Sequence, residues 1–194
     1  AALCKTVIKP SQYPYIMKLL DFPASKQSFN YDCGAAALHA VLLYYGIKAK
    51  LAHIRKIAGT VKIYGTPVHG MEKAARHFGL SCSSRKMTVK ELKKSIDQGI
   101  PVILRLQAWP NRKIRDWRNH WDDGHYAVAI GYDSKRIYFE DPYPGSRAYL
   151  AYDELLERWH DCDKRTKKRY RNLGITVKGK SRKIFSSRKI VHMD

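Results

Sequence analysis

The sequence contains no run of about eighteen apolar residues, so no segment reads as a membrane-spanning helix. Cysteine is sparse: Cys4, Cys33, Cys82 and Cys162 are scattered over 194 positions. No CxxC pair or tight Cys/His group marks a zinc site, and no metal or other cofactor is expected. At 44% apolar residues a chain of this length can close a core without disulfides. Four free thiols in a reducing compartment, the cytoplasm, are therefore expected. The opening stretch AALCKTVIKP has no long apolar region and does not read as a signal peptide. Internal repeats and low-complexity blocks are missing too, which sets solenoid and fibrous classes aside.

Acidic residues are also scarce. Asp and Glu number 17 against 37 Lys and Arg, a net charge of +20. Residues 164–189 hold twelve basic side chains and no acidic one. This shift in composition suggests a domain over 1–163 and a basic C-terminal extension over 164–194. Ile175, Val177, Ile184, Phe185, Ile190 and Val191 punctuate the run, so part of it is expected to pack on the domain. Such charge suits an anionic partner, whether phosphate backbone, lipid or acidic protein; the plainer reading is a solvated extension. No nucleic-acid motif accompanies it.

The pattern that remains is α+β. From Cys33 to Tyr45 nearly every residue is apolar or small, and Gly46 supplies a stop, which predicts a helix buried on all sides. A short helix is expected over 50–58. Another should start with Thr66 as N-cap and Pro67 in the first turn, and end at Gly79. A fourth should run from Thr88, with Glu91 completing a capping box, to Gly99. The second half reads as strands over 100–107, 125–133 and 136–141, the last two joined as a hairpin at Asp133-Ser134-Lys135. A short helix then follows RAYLAY. Helices first and strands second predict an antiparallel sheet with helices packed on it.

The stretch QSFNYDCGAAALHAVLLYYG, residues 27–46, raises the chemical question. It sets Cys33 where a polar loop runs into that buried helix. A thiol attacks as thiolate, and a helix N-terminus favours an anion there through its unpaired N–H groups. A neighbouring imidazolium is the second device. Among eight histidines His125 stands apart, because it opens the apolar strand HYAVAIGYD directly after Gly124. A rigid strand end holds a general base well. Asp141 closes the neighbouring strand, at the same edge of an antiparallel hairpin, where a carboxylate could orient the imidazole. The N–H of Cys33 and the amide of Gln27, six residues earlier, are candidate oxyanion donors. Asp32 reads as the helix N-cap.

Taken together, the glutamine, the Asp-Cys-Gly-Ala-Ala on a buried helix, the Tyr-Tyr-Gly, the later Gly-His-Tyr-Ala-Val and the Asp-Pro-x-x-Gly resemble the bacteriocin-processing cysteine peptidases. These are papain-like domains that cut leader peptides after double glycine. The resemblance covers roughly Phe22 to Trp159. It implies a papain-like fold with Gln27 as oxyanion residue, Cys33 as nucleophile, His125 as base and Asp141 as its orienter. Members of that family are often fused to a membrane transporter; here the chain reads as a peptidase domain without one.

The segment 108–124, AWPNRKIRDWRNHWDDG, is too long and polar for a tight turn. Trp109, Trp117 and Trp121 could cover the cleft and grip a peptide, or could anchor the loop to the body. His120 with Asp122 and Asp123 is more consistent with a solvated loop than with a metal site. The function expected is hydrolysis of peptide bonds in a peptide or protein substrate, through a thioester on Cys33. Two alternatives stay open at this point: a papain-like acyl transferase or amidase, and a catalytically silent peptide-binding module.

Overall fold

The computed structural model describes residues 17–180 and 190–193; Cys4 and part of the basic run lie outside them. The order is β1 (Lys18–Leu19), α1 (Cys33–Tyr44), α2 (Leu51–Ala58), α3 (Val68–His77), β2 (Ser81–Lys86), α4 (Val89–Asp97), β3 (Val102–Gln107), β4 (Gly124–Tyr132), β5 (Arg136–Asp141), β6 (Ser146–Ala151), α5 (Tyr152–Arg158), β7 (His160–Cys162), β8 (Arg169–Arg171), β9 (Leu173–Lys178) and β10 (Ile190–His192). No helix among the described residues is long and apolar enough to cross a membrane.

A mixed fold with an antiparallel sheet is what the pattern predicted. The sheet runs β10-β6-β5-β4-β3-β9-β2, with β1 added on β4, and every pairing is antiparallel except β10 on β6. Helix α1 is buried nearly all round, as its uniform apolarity requires, and packs on β4. The capping box at α4 is present: Thr88 Oγ1 accepts from Glu91 N at 3.2 Å, and Glu91 Oε2 accepts from Thr88 N at 2.8 Å. The hairpin at 133–135 is closed by Asp133 Oδ1, which accepts from the backbone N–H groups of Lys135 and Arg136.

Of the ten described strands only β3, β4 and β5 were expected, and three of the others, β2, β6 and β9, are six residues long. β2 has the polar sequence SCSSRK and buries only Cys82, which is enough for a sheet edge. β6, SRAYLA, pairs antiparallel with β5 and extends the hairpin by a third strand. β9, LGITVK, lies within the basic run yet buries Leu173, Gly174, Ile175 and Val177. It is inserted between β3 and β2, pairing Ile175 with Ile103 on one side and Ser84 on the other. The sheet is thus continuous across the 163/164 position, and its chain-distant pairing is invisible in local periodicity. Thr66 does not cap α3. It is buried one residue earlier and shares a 2.9 Å hydroxyl hydrogen bond with Thr60.

Close packing of α2 on α3 depends on Gly70. A Cβ there would stand 1.9 Å from the Ala58 carbonyl oxygen. Gly70→Ala is expected to lower the free energy of unfolding by at least about 1–3 kcal/mol in urea titrations. Gly59→Ala, at φ +65° but in open space, should show only the left-handed strain of about 1–2 kcal/mol.

Candidate active site

Three elements meet at one edge of the sheet. Asp141 ends β5 and His125 opens β4, and the antiparallel hairpin brings both ends together. His125 Nε2 donates to Asp141 Oδ1 at 2.8 Å. The other ring nitrogen is left for Cys33, whose side chain, in the first turn of α1, acts electrostatically on the imidazole. Cys33 is half-buried, His125 is 6% exposed and Asp141 is fully enclosed. Burial alone would drive the imidazole toward neutrality. The charge and hydrogen bond of Asp141, with the Cys33 sulfur, outweigh it and push the His125 pKa up to about 10.

Asp141 has further donors. Its Oδ1 also accepts from Tyr143 N at 2.8 Å, and its Oδ2 accepts from Trp109 Nε1 at 3.1 Å. Trp109 lies in the left-handed region, at φ 58°, and stacks on the half-exposed Tyr143 with ring centroids 5.1 Å apart. The hydrogen bond from Trp109 to the carboxylate was not foreseen from sequence. An indole N–H sixteen residues upstream of His125 carries no local sign of its target.

The glutamine sits in a loop tied to the same edge. Gln27 N donates to Pro142 O at 2.9 Å, directly after Asp141. Gln27 Nε2 donates to Phe29 O at 2.9 Å. An amide nitrogen carries two N–H groups, so that bond uses one of them. Asp32 occupies the N-cap position of α1, as expected, but its side chain makes no capping hydrogen bond. Its backbone, at φ −109° and ψ 18°, is not extended, and its carboxylate turns back into the loop. Oδ1 accepts from Ser28 N at 3.1 Å and Phe29 N at 3.0 Å, while Oδ2 pairs with Arg55 Nη1 at 2.8 Å. Asp32 is fully buried. It therefore fixes the glutamine loop and leaves the N–H groups at the start of α1 without a side-chain cap.

Of the three tryptophans expected over the cleft, the structure brings Trp109 to the site. Trp117 lies beneath the Arg158 guanidinium at 3.9 Å. Trp121 packs on His160 and is covered by Arg169 and Arg171 at 4.8 and 5.0 Å. These two anchor the loop, and two arginines of the basic run help hold it. His120 donates to or accepts from Asp123 at 2.6 Å, and its carbonyl meets His160 Nε2 at 2.6 Å. Among the described residues no group of three potential metal ligands gathers. Cys33, Cys82 and Cys162 are free thiols. Burial pushes the Cys82 pKa up to about 12, which leaves it inert at neutral pH.

A thiol at a helix start, an imidazole between it and a buried carboxylate, and an amide nearby define a papain-like thiol hydrolase site. Comparison with known proteins agrees. The chain belongs to the Peptidase C39 family, whose model matches residues 21–162, and so to the cysteine peptidases. It is 40% identical over 129 residues to the pediocin PA-1 transport/processing ATP-binding protein of Pediococcus acidilactici, a match covering 66% of this chain and 16% of that protein. With the lactococcin-A transport/processing ATP-binding protein of Lactococcus lactis it shares 29% identity over 131 residues, again 66% and 16%. The chain thus spans about a sixth of the length of those curated relatives. The peptidase domain of Streptococcus ComA has the same fold, with a TM-score of 0.60 at 24% identity over 80% of this chain and 96% of that one. A putative C39-like peptidase from Bacillus anthracis superposes with a TM-score of 0.62 at 17% identity, over 85% and 99%.

The raised pKa of His125 ties stability to pH. Between the ordinary value near 6.5 and about 10, the folded chain binds one more proton at His125 than the unfolded chain. That contribution is complete below about pH 6.5 and is lost as pH rises through 10. Its slope is about −1.4 kcal/mol per pH unit in between. Urea midpoints should therefore fall from pH 7 to 9 more steeply in the wild type than in His125→Gln.

Proposed function

We propose that the chain hydrolyses peptide bonds through a thioester on Cys33, with His125 as general base and acid, Asp141 as its orienting partner and Gln27 as oxyanion donor. The observation that carries this reading is the single imidazole held between a fully buried carboxylate and the thiol at the start of α1. Cys33 gives its thiol proton to the His125 nitrogen facing it, and Sγ attacks the scissile carbonyl carbon. The oxygen that gains negative charge is met by the Cys33 N–H and by the second N–H of Gln27 Nε2. The carbon–nitrogen bond breaks as the His125 nitrogen facing Cys33 gives its proton to the departing amine. The same nitrogen then takes a proton from water, whose oxygen attacks the thioester, and returns it to sulfur.

The substrate proposed is a leader-type peptide with small residues at the cut. One solved relative is a double glycine motif protease in complex with a leader peptide, and the pediocin and lactococcin relatives are transport/processing proteins. Packing beside the thiol is tight. A Cβ at Gly34 would stand 2.8 Å from Thr66 Cβ and 3.0 Å from the Tyr126 ring. We assign Trp109 and Tyr143, which stack beside the His125–Asp141 pair, to the departing portion of the peptide. A thiol nucleophile needs to stay reduced, which suits the cytoplasm. The net charge of +20 suits substrates or partners of negative charge.

Iodoacetamide at about pH 5–6 should alkylate Cys33 at least about tenfold faster than Cys82 or Cys162, read by peptide mass. Uniform labelling would contradict the assignment. Cys33→Ala should abolish cleavage of a double-glycine peptide library while leaving the circular dichroism spectrum intact. Gln27→Ala should lower kcat by about 10²–10³ with the alkylation rate of Cys33 little changed, because it removes only an oxyanion donor.

A further inference from the structure

Beyond Cys33 the cleft opens into a pocket of about 160 Å³, lined among others by Lys62, Arg105, Tyr126, Asp161 and Lys164. Gln27, His125, Asp141 and Trp109 are not part of its lining. Its position is informative. If His125 protonates the leaving amine, the departing portion of a substrate lies on the imidazole side. A pocket that shares only the thiol with the reacting groups therefore faces the acyl portion.

The chemistry of the pocket is lopsided. Arg105 is 5% exposed. Its Nε donates to Asp161 Oδ2 at 2.5 Å and its Nη2 to Cys162 O at 3.0 Å. Its Nη1 is buried without a hydrogen-bond acceptor. Asp163 Oδ2 stands 3.7 Å from that nitrogen, close enough for attraction but too far for a hydrogen bond. The one carboxylate in the lining is already used: Asp161 accepts from Arg105, from Gln107 Nε2 at 3.1 Å and from Cys162 N at 2.7 Å. Lys62 and Lys164 are exposed at the rim. The lining thus carries one guanidinium and two ammonium groups, against one carboxylate with its lone pairs engaged. Three cations around one engaged carboxylate leave the pocket electropositive, and an ionised acceptor suits such a wall best.

We propose that this pocket is an acyl-side subsite for an acidic side chain, carried one or two residues before the residue whose carbonyl Cys33 attacks. The proposal rests on the assignment of Cys33 as nucleophile. It is compatible with a glycine pair at the cut when the acidic residue stands two residues before the attacked one and so precedes the pair.

Peptidyl chloromethyl ketones test it without a known substrate. In these reagents the Cys33 sulfur forms a bond to the methylene carbon as the carbon–chlorine bond breaks and chloride leaves. Acetyl-Glu-Gly and acetyl-Glu-Gly-Gly chloromethyl ketones are compared with their Gln counterparts, at low ionic strength, by the second-order rate of Cys33 alkylation. One Glu reagent should react about tenfold faster than its Gln partner. The double variant Lys62→Glu/Lys164→Glu should bring that ratio to one or below, while the rates of the Gln reagents stay within about twofold of wild type. Equal rates in both pairs, or a Glu preference untouched by the double variant, would overturn the subsite. If Cys33 reacts with none of the four reagents and is also inert to iodoacetamide, the nucleophile assignment fails and the subsite with it.

Discussion

A carboxylate with no access to water must find donors inside the protein, and Asp141 is that constraint here. It is fully buried at the end of β5 and collects His125 Nε2, Trp109 Nε1 and Tyr143 N. Each donor arrives from a different stretch of chain. The strand pairing of β4 with β5 supplies the histidine. The turn Asp-Pro-Tyr supplies its own backbone, and the long loop after β3 bends back, through a left-handed Trp109, to supply the indole. Satisfying this one side chain therefore fixes the imidazole, the lip of the cleft and the turn on which the Gln27 backbone rests.

The thiol is placed by a different constraint, the burial of α1. A helix apolar on every face has to run through the interior, and its first turn emerges where the sheet edge ends. Gly34 allows that turn to press against Thr66 and Tyr126. Asp32 then turns away from the helix to hold the preceding loop, with Arg55 neutralising it from α2. In this way the acidic residue next to the thiol organises the donor loop without placing its charge on the helix start.

The two sides of Cys33 differ in character. On one side an aromatic pair, Trp109 and Tyr143, adjoins the carboxylate–imidazole unit. On the other lie a buried guanidinium and two lysines around a small cavity. The asymmetry follows from which elements border the thiol: the β3–β4 loop on one flank, the strand β3 and the β7 region on the other. It gives the cleft a direction, and a peptide lying in it would be read by different chemistry before and after the scissile bond.

The sequence by itself determined the helices, the β4–β5 hairpin, and the placement of Cys33, His125 and Asp141 at ends of elements. Each of these rests on local periodicity, a cap or a turn, and the meeting of His125 with Asp141 follows once the hairpin is recognised. Gln27 was legible only as a donor in the right loop. What the tertiary structure alone decided has long-range causes. Strands β2 and β9 exist through pairing with distant partners, and β9 is hidden inside a basic run. Asp32 looked like a capping side chain because capping is a local habit, yet Arg55, twenty-three residues away, redirects it. The three tryptophans look alike in sequence, and only the position of Asp141, Arg158 and His160 in space assigns them different tasks. Local order is written in neighbouring residues, whereas the partner of a buried polar group is chosen by whatever the fold brings within about 3 Å of it.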